Sequence, residues 1–189
     1  CCSPDFGAQS VIDRFRQVEP KVLLAVGGYQ YNGRWHDRSD VVARLREGLE
    51  SLTIVVTVTN PDDPSLAALD GTIGWDEFLA VDRPVPALAI EPVPFDHPLW
   101  VVYTSGTTGL PKSIVHGHGG VVLEHLKIAS LHLDLGPQDR FFWFTTTGWI
   151  MWNIVIGGLL AGTAVVCYDG NPAFPNLDRL WDMAESEGI

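Results

Sequence analysis

Amphipathic helical segments alternate along this chain with short apolar segments of strand character, and this order constrains the fold more than any other feature. In the first segment Val11, Ile12 and Phe15 share one helical face, and Ser3 is placed to cap the helix. A strand is predicted next, over residues 21–26. Such alternation favours parallel strands whose connecting helices pack on the faces of a sheet. The sequence therefore predicts an α/β fold of alternating helices and mostly parallel strands.

The rest of the chain continues this alternation on either side of a proline-rich stretch. Residues 1–60 form a helix–strand segment, residues 61–97 a proline-rich connection, and residues 98–189 a second helix–strand segment. Residues 27–33 are predicted as a loop, because glycines and an asparagine punctuate them. The further expected elements are a helix that Ser39 opens, strands over 53–58, 99–104, 113–116, 140–144 and 163–168, helices over 75–79, 120–133 and 149–160, and a last helix that ends at Gly188.

Composition and charge limit the class of protein. The chain is 46% hydrophobic and 19% charged, which is typical of a globular fold. Its 12 basic and 23 acidic residues give a net charge of −11, which argues against a nucleic-acid partner. Cys1, Cys2 and Cys167 supply neither a disulfide framework nor the spacing of a zinc site. Because the sequence has no membrane-length apolar stretch and no signal-peptide pattern, we expect a cytoplasmic protein without a membrane partner.

A loop rich in glycine and hydroxyl groups follows the apolar strand that ends at residue 104. Its candidate ligands for nucleotide phosphates are four hydroxyl residues, two glycines and one lysine: Thr104, Ser105, Gly106, Thr107, Thr108, Gly109 and Lys112. Pro111 precedes the lysine where a Walker loop has glycine, so the pattern is that of a different phosphate loop. The alternative is a Ser/Thr/Gly turn that only joins two strands.

The stretch from Tyr103 to Lys112, Tyr-Thr-Ser-Gly-Thr-Thr-Gly-Leu-Pro-Lys, resembles the signature loop of the adenylate-forming superfamily of acyl-CoA synthetases, adenylation domains and luciferases. Further segments resemble the branch of that superfamily that activates acetoacetate. They lie at residues 2–7, 13–15, 19–23, 31–33, 116–120 and 145–149, so the resemblance extends over nearly the whole chain. It implies that the chain belongs to the large N-terminal, AMP-binding domain of such an enzyme and is cut at both ends.

This resemblance implies an ATP-dependent ligase. Acetoacetate would attack the α-phosphate of ATP, pyrophosphate would leave, and the thiol of coenzyme A would take the acyl group to give acetoacetyl-CoA and AMP. Lys112 would be the catalytic cation, because charge accumulates on the departing pyrophosphate. Mg²⁺ is expected with ATP, but the family's magnesium, adenine and ribose contacts have no counterpart in these 189 residues. No metal ligand is therefore assigned, and the 189-residue chain alone is expected to be inactive.

Trp149, Ile150 and Met151 lie at the start of a predicted apolar helix. In the family this segment lines the acyl pocket, and bulky walls here would suit a substrate acid of roughly two to four carbons. From residue types alone, the alternative is that these side chains belong to the core. The histidines between residues 116 and 132 are interpreted as surface or hydrogen-bonded residues, since neither cysteines nor carboxylates complete a zinc site.

Two other functions stay open on the sequence alone. A sister enzyme would activate another short acid, such as acetate or propionate. A non-catalytic nucleotide-binding module would keep the loop, but it would have no need of a narrow aromatic pocket. The sequence leaves the oligomeric state undecided.

Overall fold

The computed structural model describes residues 1–58, 69–80, 88–104 and 109–189. In chain order the elements are α1 (Ala8–Phe15), β1 (Val22–Val26), β2 (Gly28–Tyr31), β3 (Arg34–Asp37), α2 (Ser39–Gly48), β4 (Ile54–Val58), β5 (Ile73–Gly74), α3 (Trp75–Leu79), β6 (Pro98–Tyr103), β7 (Ser113–Gly117), α4 (His118–Lys127), β8 (Arg140–Phe141), α5 (Ile150–Gly157), β9 (Ala164–Val165) and α6 (Arg179–Glu187). A π-helical turn, Ile128–His132, extends α4, and a 3-10 turn, Gly158–Ala161, follows α5.

The chain forms two compact units. The α1 unit comprises residues 4–92 and 103–113, and the α4 unit comprises residues 1–3, 93–102 and 114–189. Strand β1 pairs with β4, β4 with β5, and β8 with β9, all in parallel. The predicted α/β class is therefore confirmed. None of the helices in the described part of the chain combines the length and the apolar character that a membrane span requires.

A three-stranded sheet in the order β1-β4-β5 forms the centre of the α1 unit. The run of β-branched residues in β4 favours a strand, and Val56 within it is fully buried. Further buried side chains come from β1 and β4, namely Leu23, Val55 and Thr57, and from helices α1 and α2, which include Val11, Ile12, Val42 and Leu45. The predicted apolar stripes of both helices thus supply much of the core of this unit.

Helix α1 begins later than predicted. We expected Ser3 to cap it, but the first helical residue is Ala8 and Gly7 occupies the N-cap position. Gly7 is extended, with φ −67° and ψ 144°, so it separates the turn before it from the helix. The guanidinium of Arg14 lies over the ring of Phe6, 5.4 Å from its centroid, and holds that turn against the helix.

An antiparallel hairpin, β2–β3, occupies the stretch that the sequence predicted as a loop. Asn32 and Gly33 have φ values of 52° and 68°, which are the positive values that a two-residue hairpin turn needs. Tyr29 and His36 face each other across the strands, with ring centroids 5.1 Å apart. The prediction of a loop was wrong because an Asn-Gly pair between strands is itself a hairpin signal.

Helix α2 begins at Ser39, as predicted. The carboxylate of Asp37 accepts hydrogen bonds from the backbone N–H of Ser39 at 2.8 Å and from its hydroxyl at 2.6 Å. These bonds stabilise the charged carboxylate and lower the pKa of Asp37 below its usual value, with the hydroxyl of Ser39 as the largest cause. The residue before the cap, rather than Ser39 alone, therefore fixes the start of the helix.

The core of the α4 unit lies among its helices and the short β8–β9 sheet. Val121, Ala129, Val155 and Thr163 are buried there. Strands β8 and β9 are two residues each, shorter than predicted, because in the described part of the chain these two strands pair with each other alone. Without a further paired neighbour, the apolar residues that follow β8 do not continue as a strand.

Candidate nucleotide site

The two arms of the glycine- and hydroxyl-rich loop face each other where the loop begins and ends. Strand β6 ends at Tyr103, β7 begins at Ser113, and the two strands pair. The backbone N–H of Thr104 donates to the carbonyl oxygen of Lys112 at 3.0 Å. In return, the N–H of Lys112 donates to Oγ1 of Thr104 at 3.4 Å. These two contacts bring Thr104 and Lys112 together, while the predicted ligands Ser105, Gly106, Thr107 and Thr108 lie outside the described residues.

The arm that leads out of the loop, Gly109–Lys112, is open. Lys112 is exposed, and its ammonium makes no ion pair with any residue that the structure describes. A Cβ built on Gly109 would meet no atom of the described residues within 4 Å, and the φ angle of this residue lies outside the left-handed range. Among the residues that the structure describes here, a cation, a hydroxyl group and free space are therefore available together, which is what an anionic ligand requires.

Two side chains that the sequence analysis did not single out as site residues hold these arms. The hydroxyl of Tyr103 donates to the carbonyl oxygen of Arg14 at 2.7 Å. The side-chain amide of Gln17 donates to the carbonyl oxygen of Pro111 at 2.8 Å, across 94 residues of sequence. No local pattern marks Gln17, because a single glutamine after a helix is common and its partner is distant in sequence.

The predicted acyl-pocket residues lie at the start of α5, in the α4 unit. Trp149 is the N-cap residue, and its carbonyl oxygen accepts a hydrogen bond from the N–H of Trp152 at 3.0 Å. Its side chain is 64% exposed and that of Ile150 is 49% exposed, whereas Met151 is half-buried. Trp149 and Ile150 are therefore not core residues of the described chain, and their apolar surfaces face open space.

Histidines of the α4 unit are engaged in hydrogen bonds and packing. The Nδ1–H of His118 donates to the carbonyl oxygen of His97 at 2.8 Å, and Nε1–H of Trp100 donates to Nδ1 of His116 at 3.2 Å. His125 packs against Trp100 with ring centroids 5.5 Å apart, and its partial burial lowers its pKa. Among the residues that the structure describes, no group of three or more His, Cys, Asp or Glu side chains is placed to hold a metal ion.

A comparison with protein families and with solved structures shows to which family the chain belongs. The AMP-binding enzyme family matches residues 1–189, and the chain belongs to this family. The resemblance seen in the loop sequence is thereby confirmed.

Particular members of the family are similar over nearly the whole chain. Acetoacetyl-CoA synthetase of Danio rerio is 39% identical over 193 residues, covering 99% of this chain and 29% of the relative. A malonamoyl-CoA synthetase of Penicillium aethiopicum is 36% identical over 180 residues, covering 91% of this chain and 25% of the relative. The solved structure of acetoacetyl-CoA synthetase from Streptomyces lividans matches with a TM-score of 0.91 and 54% identity, covering 100% of this chain and 28% of that one. The chain thus spans 25–29% of the length of these proteins.

Proposed function

We propose that the protein at its natural length activates acetoacetate with ATP and transfers the acyl group to coenzyme A. The carboxylate attacks the α-phosphate, pyrophosphate leaves, and the thiol of coenzyme A displaces AMP from the acyl adenylate. The observation that supports this substrate most strongly is the 54% identity, over the entire chain, to a protein whose solved structure is named acetoacetyl-CoA synthetase. Such an enzyme would work in the cytoplasm on small soluble substrates.

The loop would hold the phosphates of ATP. Lys112 would bind the oxygens on which negative charge accumulates as pyrophosphate departs, and it is the catalytic residue of this proposal. Thr104 and Gly109 would supply a hydroxyl and close backbone approach, together with Ser105, Gly106, Thr107 and Thr108. The exposure of Lys112 supports this role, as does the absence of any described atom within 4 Å of a Cβ built on Gly109. Mg²⁺ would neutralise phosphate charge when bound, and these 189 residues are assigned no ligand for it.

The acid would be bound by Trp149, Ile150 and Met151. The exposed apolar surfaces of Trp149 and Ile150 at the start of α5 support contact with a small ligand rather than with the core. The similarity to a malonamoyl-CoA synthetase favours a second candidate substrate. Malonamate differs from acetoacetate by an amino group in place of the methyl group, so the two acids have nearly the same shape. Acetate and propionate, the earlier alternatives, are smaller and would fill the same pocket less well.

Pyrophosphate exchange with a panel of acids would test this proposal on the natural-length protein. We expect ATP–pyrophosphate exchange to depend on acetoacetate, with lower kcat/KM for malonamate, acetate and propionate. Preference for malonamate would assign the substrate to the second candidate, and preference for acetate or propionate would assign a sister enzyme. ATP binding without exchange for any acid would contradict the ligase and leave a nucleotide-binding module.

A further inference from the structure

The C-terminal end of α1 contacts both arms of the loop that carries Lys112. On the arm that enters the loop, the hydroxyl of Tyr103 donates to the carbonyl oxygen of Arg14 at 2.7 Å. On the arm that leaves it, the side-chain amide of Gln17 donates to the carbonyl oxygen of Pro111 at 2.8 Å. One helix end therefore holds the loop at two points, although the partners are 89 and 94 residues apart in sequence.

Gln17 is itself fixed by the helix. The last carbonyl groups of an α-helix lack helical partners. The backbone N–H of Gln17 donates to the carbonyl oxygen of Arg14 at 3.2 Å, and its side-chain amide donates to that of Asp13 at 2.9 Å. A glutamine amide has two N–H donors, so one serves the helix end and the other serves Pro111. The helix thereby sets the direction of the bond to the loop.

The bond from Gln17 fixes the peptide group that leads into Lys112. The carbonyl of Pro111 and the N–H of Lys112 belong to one planar group, so they turn together. The carbonyl accepts from Gln17, while the N–H points at Oγ1 of Thr104, 3.4 Å away. The carbonyl of Lys112 also accepts from the N–H of Thr104, at 3.0 Å. The backbone of Lys112 is thus held on both sides, while its side chain is exposed.

We propose that Gln17 is a positioning residue for ATP, which acts by orienting the Pro111–Lys112 peptide and hence the ammonium of Lys112. This inference rests on the proposed function of the loop. A donor that is already oriented stabilises developing charge without reorganising during the reaction, whereas a lysine on a free backbone would have to be ordered at that moment. Gln17 bonds to the backbone of the loop, so its effect reaches ATP through Lys112.

The test compares two glutamines of the same region in the natural-length protein. Gln17→Met keeps the length of the side chain and removes both donors. Gln9→Met is the matched control, because Gln9 lies on α1 and its amide donates to the carboxylate of Asp13, at 2.7 Å. We expect Gln17→Met to raise the KM for ATP about threefold to tenfold in acetoacetate-dependent exchange, the range of one neutral hydrogen bond. The KM for acetoacetate and the melting temperature should match those of Gln9→Met.

Hydrogen–deuterium exchange of the ligand-free protein provides a second readout. In Gln17→Met the amides of Thr104 and Lys112 should exchange faster than in Gln9→Met, because the peptide between Pro111 and Lys112 has lost its anchor. Equal exchange in the two variants would overturn the positioning role directly.

The kinetic outcomes separate this inference from the proposed function. Equal KM values for ATP in the two glutamine variants, with normal acetoacetate-dependent exchange in the wild type, would overturn the role of Gln17 and leave the ligase proposal intact. Normal ATP kinetics in Lys112→Ala would overturn the proposed roles of both Lys112 and Gln17, and would leave the ligase activity itself intact. If the wild type shows ATP–pyrophosphate exchange with none of the acids, the ligase proposal fails. Gln17→Met and Gln9→Met are then compared by their Kd for ATP, measured by titration calorimetry.

Discussion

The open arm of the loop, Gly109–Lys112, and the turn that leads into β9, Gly158–Thr163, both carry glycines but are built differently. In the turn, Gly162 has φ +78°, and a Cβ there would lie 3.3 Å from the side chain of Pro137. The next residue, Thr163, is 1% exposed and donates from its hydroxyl to the carbonyl oxygen of Gly136 at 3.0 Å. In the arm, Gly109 does not have a left-handed φ, and no atom of the residues that the structure describes lies within 4 Å of a Cβ built on it.

This difference separates a glycine that the fold requires from one that the fold does not. A side chain at Gly162 would be strained by the backbone and crowded by Pro137, so the folded chain itself accounts for glycine there. Nothing in the described structure accounts for glycine at position 109. Together with the exposed Lys112, this supports a ligand rather than the fold as the reason for Gly109.

The largest expected effect is that of Lys112→Ala. Removing a cation that acts on the departing pyrophosphate should lower kcat/KM for ATP by about a hundredfold or more. The melting temperature should hardly change, because Lys112 is exposed and substitutions at exposed positions usually alter stability by less than about 0.5 kcal/mol. Pyrophosphate exchange and calorimetry on the natural-length protein measure the two quantities.

Lys21→Ala is the matched control, since Lys21 is an exposed lysine of the same α1 unit. It should leave both quantities near their wild-type values. Equal kinetic losses in the two variants would mean that overall charge, rather than the position of Lys112, matters for ATP.

Gly162→Ala should lower stability and leave ATP kinetics unchanged, which is the opposite of the effect expected for Lys112→Ala. The alanine would be placed at φ +78° and against Pro137, and we expect a loss of about 1–2 kcal/mol in the free energy of unfolding. The KM for ATP should stay at its wild-type value. Unfolding in urea gives the first quantity and pyrophosphate exchange the second. A variant as stable as the wild type would show that the turn relaxes easily and that its glycine is not required by the fold.

A smaller effect is expected from Gly109→Ala. An added methyl group meets no atom in the described part of the chain, and the backbone conformation suits alanine, so stability should be unchanged or higher by about 0.4–1 kcal/mol. The same methyl group would keep phosphate oxygens from the backbone, and we expect the KM for ATP to rise about threefold. Unchanged ATP kinetics would remove Gly109 from the proposed phosphate ligands without affecting Lys112.

Sequence reasoning was accurate where a property is local. The apolar runs predicted β1 and β4, and the stripes of α1 and α2 predicted much of the core. Strand lengths depend on partners elsewhere, so the short β8 was missed, and the Ser3 cap failed because Gly7 interrupts the helix. In the candidate site, residue type alone singles out Lys112. The bonds from Gln17 and Tyr103 could not be predicted, because they depend on a tertiary contact across about ninety residues.

The smallest expected effect is the contribution of His125 to the pH dependence of stability. His125 packs beside the turn that leads into β9. Its ring lies directly against Gly157, where a Cβ would clash with Nδ1, and it lines a small apolar cavity with Phe141, Ile154 and Gly158. Burial lowers the pKa of His125, while the nearby Glu124 acts in the opposite direction. Because the unfolded chain takes up this proton at about pH 6.5 and the folded chain only at lower pH, this histidine removes stability as the pH falls below about 6.5. The loss stops growing once the pH is below the folded-state pKa.

We expect this loss of stability to be on the order of a few tenths of a kcal/mol, because His125 is partly exposed. The measurement is the melting temperature of the natural-length protein between about pH 7.5 and pH 5, compared with that of His125→Gln. The variant should lose less stability than the wild type over this interval. His132→Gln is the control, because it makes the same substitution at an exposed histidine at the end of the same helical segment. If the melting temperatures of both variants change with pH as that of the wild type does, the ring of His125 takes up its proton without disturbing the packing at Gly157. The contrast between the packed turn and the open arm must then rest on Gly162 and Thr163.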